Sequence, residues 1–438
     1  MDGAHSGQYG INVMKDTTRK WACASLAAAL CTTMFLSTPA QARPRKPSHL
    51  SVTAQSHQSG KAHVRGKTRR ARAPRSLEGL MVVEESTGKV IISSNTTALF
   101  NPASNVKIPT SLWALRNWGP DYRFTTEVRT TGTVNADGVL DGDLYVSGRY
   151  MLFGEKQARE LAKLLAARGI KSVKGSLYVS PDFSMELRTT GAAAGEKLLA
   201  ILDPHHKSPA LRSESGLLPD GSPEVAITGS VKVGSAPAAA TLLATHNAPP
   251  LKDILKIMLC HSDNNMAERF GAMLGGPAAL RTFLINALGI DAAEVQLSST
   301  SGLYVNRLSP RAMMTILQAF QVELKKHQLS LTDLLAVAGV DEGTLKRRLN
   351  GAGQAGSVTG KTGTLPETDR GVSSLSGQLN TTSEGTFLFV IFHMRGDVHR
   401  FRVRQDTIVS GFQRVHSGPR AFIYTPILPR IESEDYWN

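Results

Sequence analysis

Asn101-Pro102-Ala103-Ser104-Asn105-Val106-Lys107-Ile108-Pro109 runs into the apolar stretch Leu112, Trp113, Ala114, Leu115. The spacing predicts a helix start with Ser104 and Lys107 one turn apart. A three-residue step puts both side chains on one face, where an amine can take the hydroxyl proton as the oxygen attacks an electrophile. Lysine serves as a base only where burial or a neighbouring cation lowers its pKa enough to leave a neutral fraction. The pattern therefore calls for a second cation and for hydroxyl relays elsewhere in the chain. Pro109, in the second turn, is expected to remove one helical hydrogen bond.

Ser-x-x-Lys also occurs at Ser86 and Lys89, within Glu85-Ser86-Thr87-Gly88-Lys89. That copy reads as a turn between strands at 80–83 and 90–93, and a turn does not hold the pair on one face. It serves as an internal control for the first copy.

The 438-residue chain carries 50 Lys and Arg against 36 Asp and Glu, a net charge of +14. Ten of those cations lie between Arg43 and Arg75, a segment without Asp or Glu and poor in apolar residues. Such a segment cannot offset its chain entropy by burial and is expected to be a disordered basic arm, 43–75. Before it, Lys15, Arg19 and Lys20 precede an apolar run from Trp21 to Leu36 that ends at Ala40-Gln41-Ala42. Residues 1–42 read as a secretory signal peptide, too short in its apolar core to span a membrane. Export makes nucleic acid an unsuitable partner for the arm and favours anionic envelope polymers. Cleavage would remove Cys23 and Cys31 and leave Cys260 as the single thiol, a small buried hydrophobe at the end of an apolar helix.

The body from 76 onward is long enough for two cores. Strands are expected at 122–130, 138–147 and 172–180, with a helix at 155–168. The stretch 187–240 is rich in Gly, Ala, Ser and Pro, with a strand near 224–233. Residues 129–244 read as an inserted domain, leaving 76–128 and 245–438 as the main one. Helical periodicity returns at Leu251, Ile254, Leu255, Met258 and Leu259, and resumes at Met266, Phe270 and Met273. Between these runs, His261-Ser262-Asp263-Asn264-Asn265 is a polar corner that can push Ser262 and Asn264 into a cleft. His261 has no second ligand at metal spacing, and no metal site is expected. Helices at 277–288 and 309–322 flank the loop 298–307. Strands at 356–364, 372–379 and 386–393 and a helix at 401–415 then fit a sheet covered by helices.

Ala355-Gly356-Ser357-Val358-Thr359-Gly360-Lys361-Thr362 is close to a phosphate-binding loop. The context opposes that reading, because Leu365-Pro366-Glu367 leads into a strand where a phosphate loop needs a helix. The other reading joins three clusters in order: Ser104-x-x-Lys107, Ser262-x-Asn264 and Lys361-Thr362-Gly363. Their flanks are Asn101-Pro102-Ala103, Asn265-Met266-Ala267-Glu268, Ser301-Gly302-Leu303, Val337-Ala338-Gly339-Val340-Asp341 and Gly343-Thr344-Leu345. Together they resemble the penicillin-binding protein 4 type of D-alanyl-D-alanine carboxypeptidase and endopeptidase, over roughly 78–415.

The resemblance implies an α/β (α+β) fold of the penicillin-binding and β-lactamase kind, with an antiparallel sheet flanked by helices and an inserted smaller domain. It implies acylation of Ser104 by stem peptides of peptidoglycan and by β-lactams, with no cofactor. Lys107 would be the acylation base, Ser262 a proton relay, and Asn264 a holder of the substrate amide. Lys361 would lower the pKa of Lys107 and, with Thr362, bind the substrate carboxylate. Backbone N–H groups of Ser104 and Thr364 would form the oxyanion hole, and Gly363 would let the strand approach the substrate. No deacylating carboxylate is evident near the site, which disfavours the alternative of a β-lactamase on the same machinery; a non-catalytic wall-binding protein is the other alternative. Two departures, Gly148-Arg149-Tyr150 and Gly302-Leu303-Tyr304-Val305, fall where the family grips the stem peptide.

Overall fold

Two strands that pair as a hairpin, β1 (Leu77–Glu84) and β2 (Val90–Ser94), lead the chain toward Ser104. The computed structural model describes residues 76–186, 191–206, 224–426 and 435–438; the expected signal segment and basic arm lie outside the described residues. Ser86 and Lys89 fall in and beside the hairpin turn, both exposed, so this copy of the motif assembles nothing. A single 3-10 turn, Ala103–Val106, then passes into α1 (Lys107–Trp118). Pro109 is the third residue of α1, in the first turn, where a backbone N–H has no intrahelical acceptor.

The helix α1 is buried from Lys107 to Leu115 on every face, so its polar groups need partners inside the protein. Thr110 Oγ1 donates to the carbonyl of Thr300 at 2.7 Å, and Ser111 Oγ to that of Lys107 at 2.8 Å.

The chain continues through β3 (Arg123–Thr130), β4 (Thr133–Val134), β5 (Val139–Asp141), β6 (Leu144–Gly148), α2 (Glu155–Ala167), β7 (Ser172–Val173) and β8 (Leu177–Val179). It then forms α3 (Gly191–Leu202), β9 (Ala226–Ile227), β10 (Val231–Val233) and β11 (Thr241–Pro250). The strands expected at 138–147 and 172–180 are each broken in two. Gly142 and Gly175 sit side by side at the breaks, joined by a backbone hydrogen bond of 3.1 Å, and each half enters a different sheet. Alternation along a strand does not reveal such a switch, because the period of two is the same in both sheets.

Within the small-residue stretch, α3 buries Ala194, Leu198, Leu199 and Leu202, spaced for one helix face. Its glycine and alanine content hid it from the sequence reading. The long strand β11 was also hidden, since Thr-Leu-Leu-Ala-Thr-His-Asn-Ala-Pro-Pro neither alternates nor carries β-branched residues beyond threonine. It is held by antiparallel pairing with β3 from Thr241↔Thr130 to Pro250↔Arg123.

The remaining elements are α4 (Leu251–His261), α5 (Asn264–Leu274), α6 (Gly276–Leu288), β12 (Val295–Gln296), β13 (Arg307–Leu308), α7 (Pro310–Lys326) and α8 (Leu331–Leu334). After them come β14 (Ala336–Val337), β15 (Val358–Leu365), β16 (Val372–Asn380), β17 (Thr386–Met394), α9 (Val398–Val415) and β18 (Tyr436–Trp437). The main sheet is antiparallel in the order β14-β15-β16-β17-β1-β2.

Strand β17 is buried from Phe387 to Met394 and explains how the layers form. Leu388, Val390 and Phe392 face a core shared with Leu317 and Phe320 of α7, while Phe387, Phe389 and Ile391 face Val409 and Phe412 of α9. A strand covered on both sides reads as a continuous apolar run, and each fully buried phenylalanine contributes roughly 2–3 kcal/mol.

The second sheet runs β10-β8-β6-β3-β11-β18, beside a small sheet β4-β5-β7-β9. The expected division at 128/129 and 244/245 falls within β3 and β11, and the sheet recruits β18 from the far end of the chain. The described residues, from Ser76 onward, fall in one compact unit.

Candidate active site

Ser104 lies in the 3-10 turn and Lys107 opens α1, so the change of helix type places the two side chains on one face. Ala103, just before the serine, has a φ of 46°, and Asn101 Oδ1 holds its N–H at 3.0 Å. A non-glycine residue in this region is strained and must be fixed by its surroundings. Lys107 Nζ donates to Ser104 Oγ at 3.0 Å, Asn264 Oδ1 at 2.7 Å and the Ser301 carbonyl at 2.6 Å. Burial pushes the Lys107 pKa down to about 7, against Asp263 and Glu268, whose charges raise it. In the neutral amine the two closer oxygens keep the two remaining N–H groups. The lone pair is then left toward Ser104.

The corner between α4 and α5 brings in the second cluster. Ser262 caps α4 with a φ of 60°, Asp263 caps α5 by accepting from the Met266 N–H at 2.9 Å, and Asn264 is the first residue of α5. The turn therefore ends one helix and at the same time presents two polar side chains. Strand β15 supplies the third cluster. Lys361 is fully buried and donates to Ser262 Oγ at 2.8 Å and to the Thr362 carbonyl at 2.7 Å. Its pKa falls well below that of an ordinary lysine through burial first and then repulsion by Lys107. Burial is the largest cause of the lowered pKa for both lysines, and the repulsion between the two ammonium groups acts on both alike. With Lys361 in the middle of β15 and β16 following, no phosphate-loop helix exists.

Gly363 also has a different task from the expected one. A Cβ there would meet Ser374 Oγ at 2.1 Å, the Pro102 carbonyl at 2.8 Å and Ala103 Cβ at 2.9 Å. The missing side chain lets β15 lie against the turn that carries Ser104, not against the substrate. Thr362 and Thr364 take the opposite side of the strand and, with Ser104, Ser262 and Asn264, line a cleft of about 800 Å³.

Several supports went unread in the sequence. Gly302, at φ +88°, packs where a Cβ would stand 1.9 Å from the Ala103 carbonyl, so the loop carrying Ser301 lies directly against the serine turn. Glu268 fixes that loop: Oε1 accepts from the Ser301 N–H at 3.0 Å and Oε2 from Thr300 Oγ1 at 3.0 Å. Glu268 is four residues after Asn264 on α5, and that helical spacing was the available signal. It is also a carboxylate near the site, with both oxygens engaged by the loop. Asp369 pairs with both terminal nitrogens of Arg307, at 2.9 and 2.7 Å, and accepts from Asn101 Nδ2 at 3.0 Å. Where the family motif is replaced, Arg149 pairs with Asp182, and Tyr150 is buried against His246. Tyr304 stands largely exposed.

Three clusters that meet around one serine in this order match a known family. The sequence model of the D-Ala-D-Ala carboxypeptidase 3 (S13) family matches residues 62–188 and 221–410. The chain belongs to this family. It is a serine DD-peptidase, and its fold is the α/β penicillin-binding type. A D-alanyl-D-alanine carboxypeptidase of an Actinomadura strain is 25% identical over 422 residues, covering 72% of this chain and 77% of that one. A solved predatory endopeptidase of Bdellovibrio bacteriovorus, acylated by penicillin G and bound to an immunity protein, has a TM-score of 0.67 at 23% identity. The match covers 80% of the S13 chain and 96% of the endopeptidase. Penicillin binding protein 4 of Haemophilus influenzae, complexed with a β-lactam, has a TM-score of 0.59 at 20% identity, covering 78% and 96% of the two chains. At these identities the two solved structures bear on the fold alone.

Proposed function

We propose that this S13 chain is exported and cleaves the D-alanyl-D-alanine end of peptidoglycan stem peptides, and the D-alanyl bonds of their cross-links, through an acyl-enzyme on Ser104. Neutral Lys107 takes the hydroxyl proton as Ser104 Oγ attacks the penultimate carbonyl. The N–H groups of Ser104 and Thr364 receive the negative charge that develops on the carbonyl oxygen. Ser262 passes a proton to the departing amine, and Asn264 orients the substrate amide. Lys361 and Thr362 bind the terminal carboxylate; an anion there favours the charged form of a buried lysine. Water then hydrolyses the ester and frees the enzyme. The observation that carries this reading is the buried Lys107 Nζ, 3.0 Å from Ser104 Oγ, with a pKa near 7.

Fluorescent penicillin should label the protein covalently and leave a Ser104→Ala variant dark on a denaturing gel. D-alanine should be released from stem peptides, and digestion of purified sacculi should separate terminal trimming from cross-link cleavage. Because Glu268 has both oxygens engaged, the acyl-enzyme formed with penicillin should turn over slowly, in contrast to a β-lactamase.

The apolar run and small-residue site within 1–42 support a periplasmic or wall-facing location. The ten cations of 43–75 support binding to anionic envelope polymers, an attraction screened within about 8 Å at physiological salt. Deleting 43–75 should leave acylation of Ser104 unchanged while weakening retention on isolated envelopes at low salt.

A further inference from the structure

The cleft does not end at the catalytic groups. Beyond Ser262 and Thr364 it continues along a wall made by the segment that follows Gly343 and by the first turns of α9. The Thr344 N–H donates to the Cys260 carbonyl at 3.0 Å, which ties the first part of the wall to the residue two before Ser262. Arg402 donates to Thr364 Oγ1 at 2.9 Å, which ties the second part to β15. Under the function proposed above, on which this inference rests, Ser262 serves the departing amine and Thr362 its carboxylate. The wall therefore flanks the leaving group, not the acyl group.

Its charges do not cancel. Lys346 pairs with Glu342 at 2.9 Å and Arg348 with Asp406 at 2.6 Å. Arg347 and Arg402, both exposed to the cleft, have no ion-pair partner among the described residues. Burial and then the nearby Arg348 charge lower the pKa of Arg402, with Asp406 opposing, so the surroundings favour an added anion at this position. A single terminal D-alanine offers one carboxylate, and Lys361 with Thr362 accounts for it. Two further guanidinium groups, each able to bind a carboxylate through paired N–H donors, have nothing to bind on such a substrate.

We infer that Arg347 and Arg402 form a subsite for a second carboxylate on the leaving group. The enzyme then favours acidic leaving groups, whether a dicarboxylic D-amino acid or an acid-bearing peptide, over neutral ones of the same size. Two synthetic donors with one acyl part and ending in D-Ala-D-Glu or D-Ala-D-Gln isolate the charge. The wild-type kcat/KM should favour the D-Glu donor by roughly 5-fold, as expected for a half-exposed charge pair, and the preference should shrink as salt is raised. In Arg347→Gln/Arg402→Gln the ratio should approach unity, and Arg402→Lys should retain part of it. Labelling of Ser104 by penicillin reports an intact site in each variant, and the salt series on the wild type tests the idea without any substitution. Equal release of D-Glu and D-Gln by the wild type, or a preference that survives both substitutions or high salt, overturns the subsite alone. A wild type that releases no D-residue from any donor overturns the peptidase reading and the subsite with it.

Discussion

Replacing Lys107 by methionine should make the protein more stable and catalytically inert, and the gain should depend on pH. Methionine keeps the length of the side chain without the charge. The Lys107 pKa falls from 10.5 to about 7 on folding. At about 1.4 kcal/mol per pH unit, the buried ammonium costs roughly 4–5 kcal/mol below pH 7. Between about pH 7 and 10.5 the unfolded chain holds the proton that the folded one has lost, so stability rises with pH and the cost disappears near the upper value. Substitution also deprives Ser104 Oγ, Asn264 Oδ1 and the Ser301 carbonyl of their donor, a loss of about 2 kcal/mol. The variant should then exceed the wild type by roughly 2 kcal/mol near pH 6 and match it near pH 9, read by urea unfolding at both. Relief of the repulsion on Lys361 adds to the gain at low pH. In the wild type, acylation by fluorescent penicillin should rise about tenfold from pH 6 to pH 8, following the neutral fraction of a group with a pKa near 7. A variant less stable than wild type by the same amount at both pH values, or a flat acylation profile, would refute the desolvation argument.

Glu268→Gln should lower the pH midpoint of acylation, because the Glu268 charge raises the Lys107 pKa; a midpoint that moves upward would contradict this. Gly302→Ala should abolish labelling and cost roughly 3 kcal/mol, since its Cβ would lie 1.9 Å from the Ala103 carbonyl at a φ of +88°. Gly88→Ala, at a similar φ of +71° but with nothing within 4 Å, should cost only about 1 kcal/mol and leave labelling intact. Burial pushes the Cys260 thiol up to about 11, so thiol reagents should leave acylation of the native protein unchanged, as measured by labelling after a timed exposure.

The sequence already held the chemistry of the site. Ser104 and Lys107 are local in sequence, one turn apart, and Ser262 with Asn264 needs only a polar corner between two apolar helices. Helical and strand periods, and the continuous apolar run of β17, were legible because they reflect which faces are covered. Period-two patterns do not say which sheet a strand joins, so the switches at Gly142 and Gly175 and the recruitment of β18 needed long-range pairing to be seen. A short side-chain list likewise cannot say what burial does to a charge. Only the packing of α1 on all sides takes Lys107 out of water and lowers its pKa, and only the approach of β15 and of the Ser301 loop shows what Gly363 and Gly302 make room for. Residue type and spacing determined which groups are present; desolvation, close approach and the paired or unpaired state of each charge are properties of the folded whole, because each depends on residues far apart in the chain.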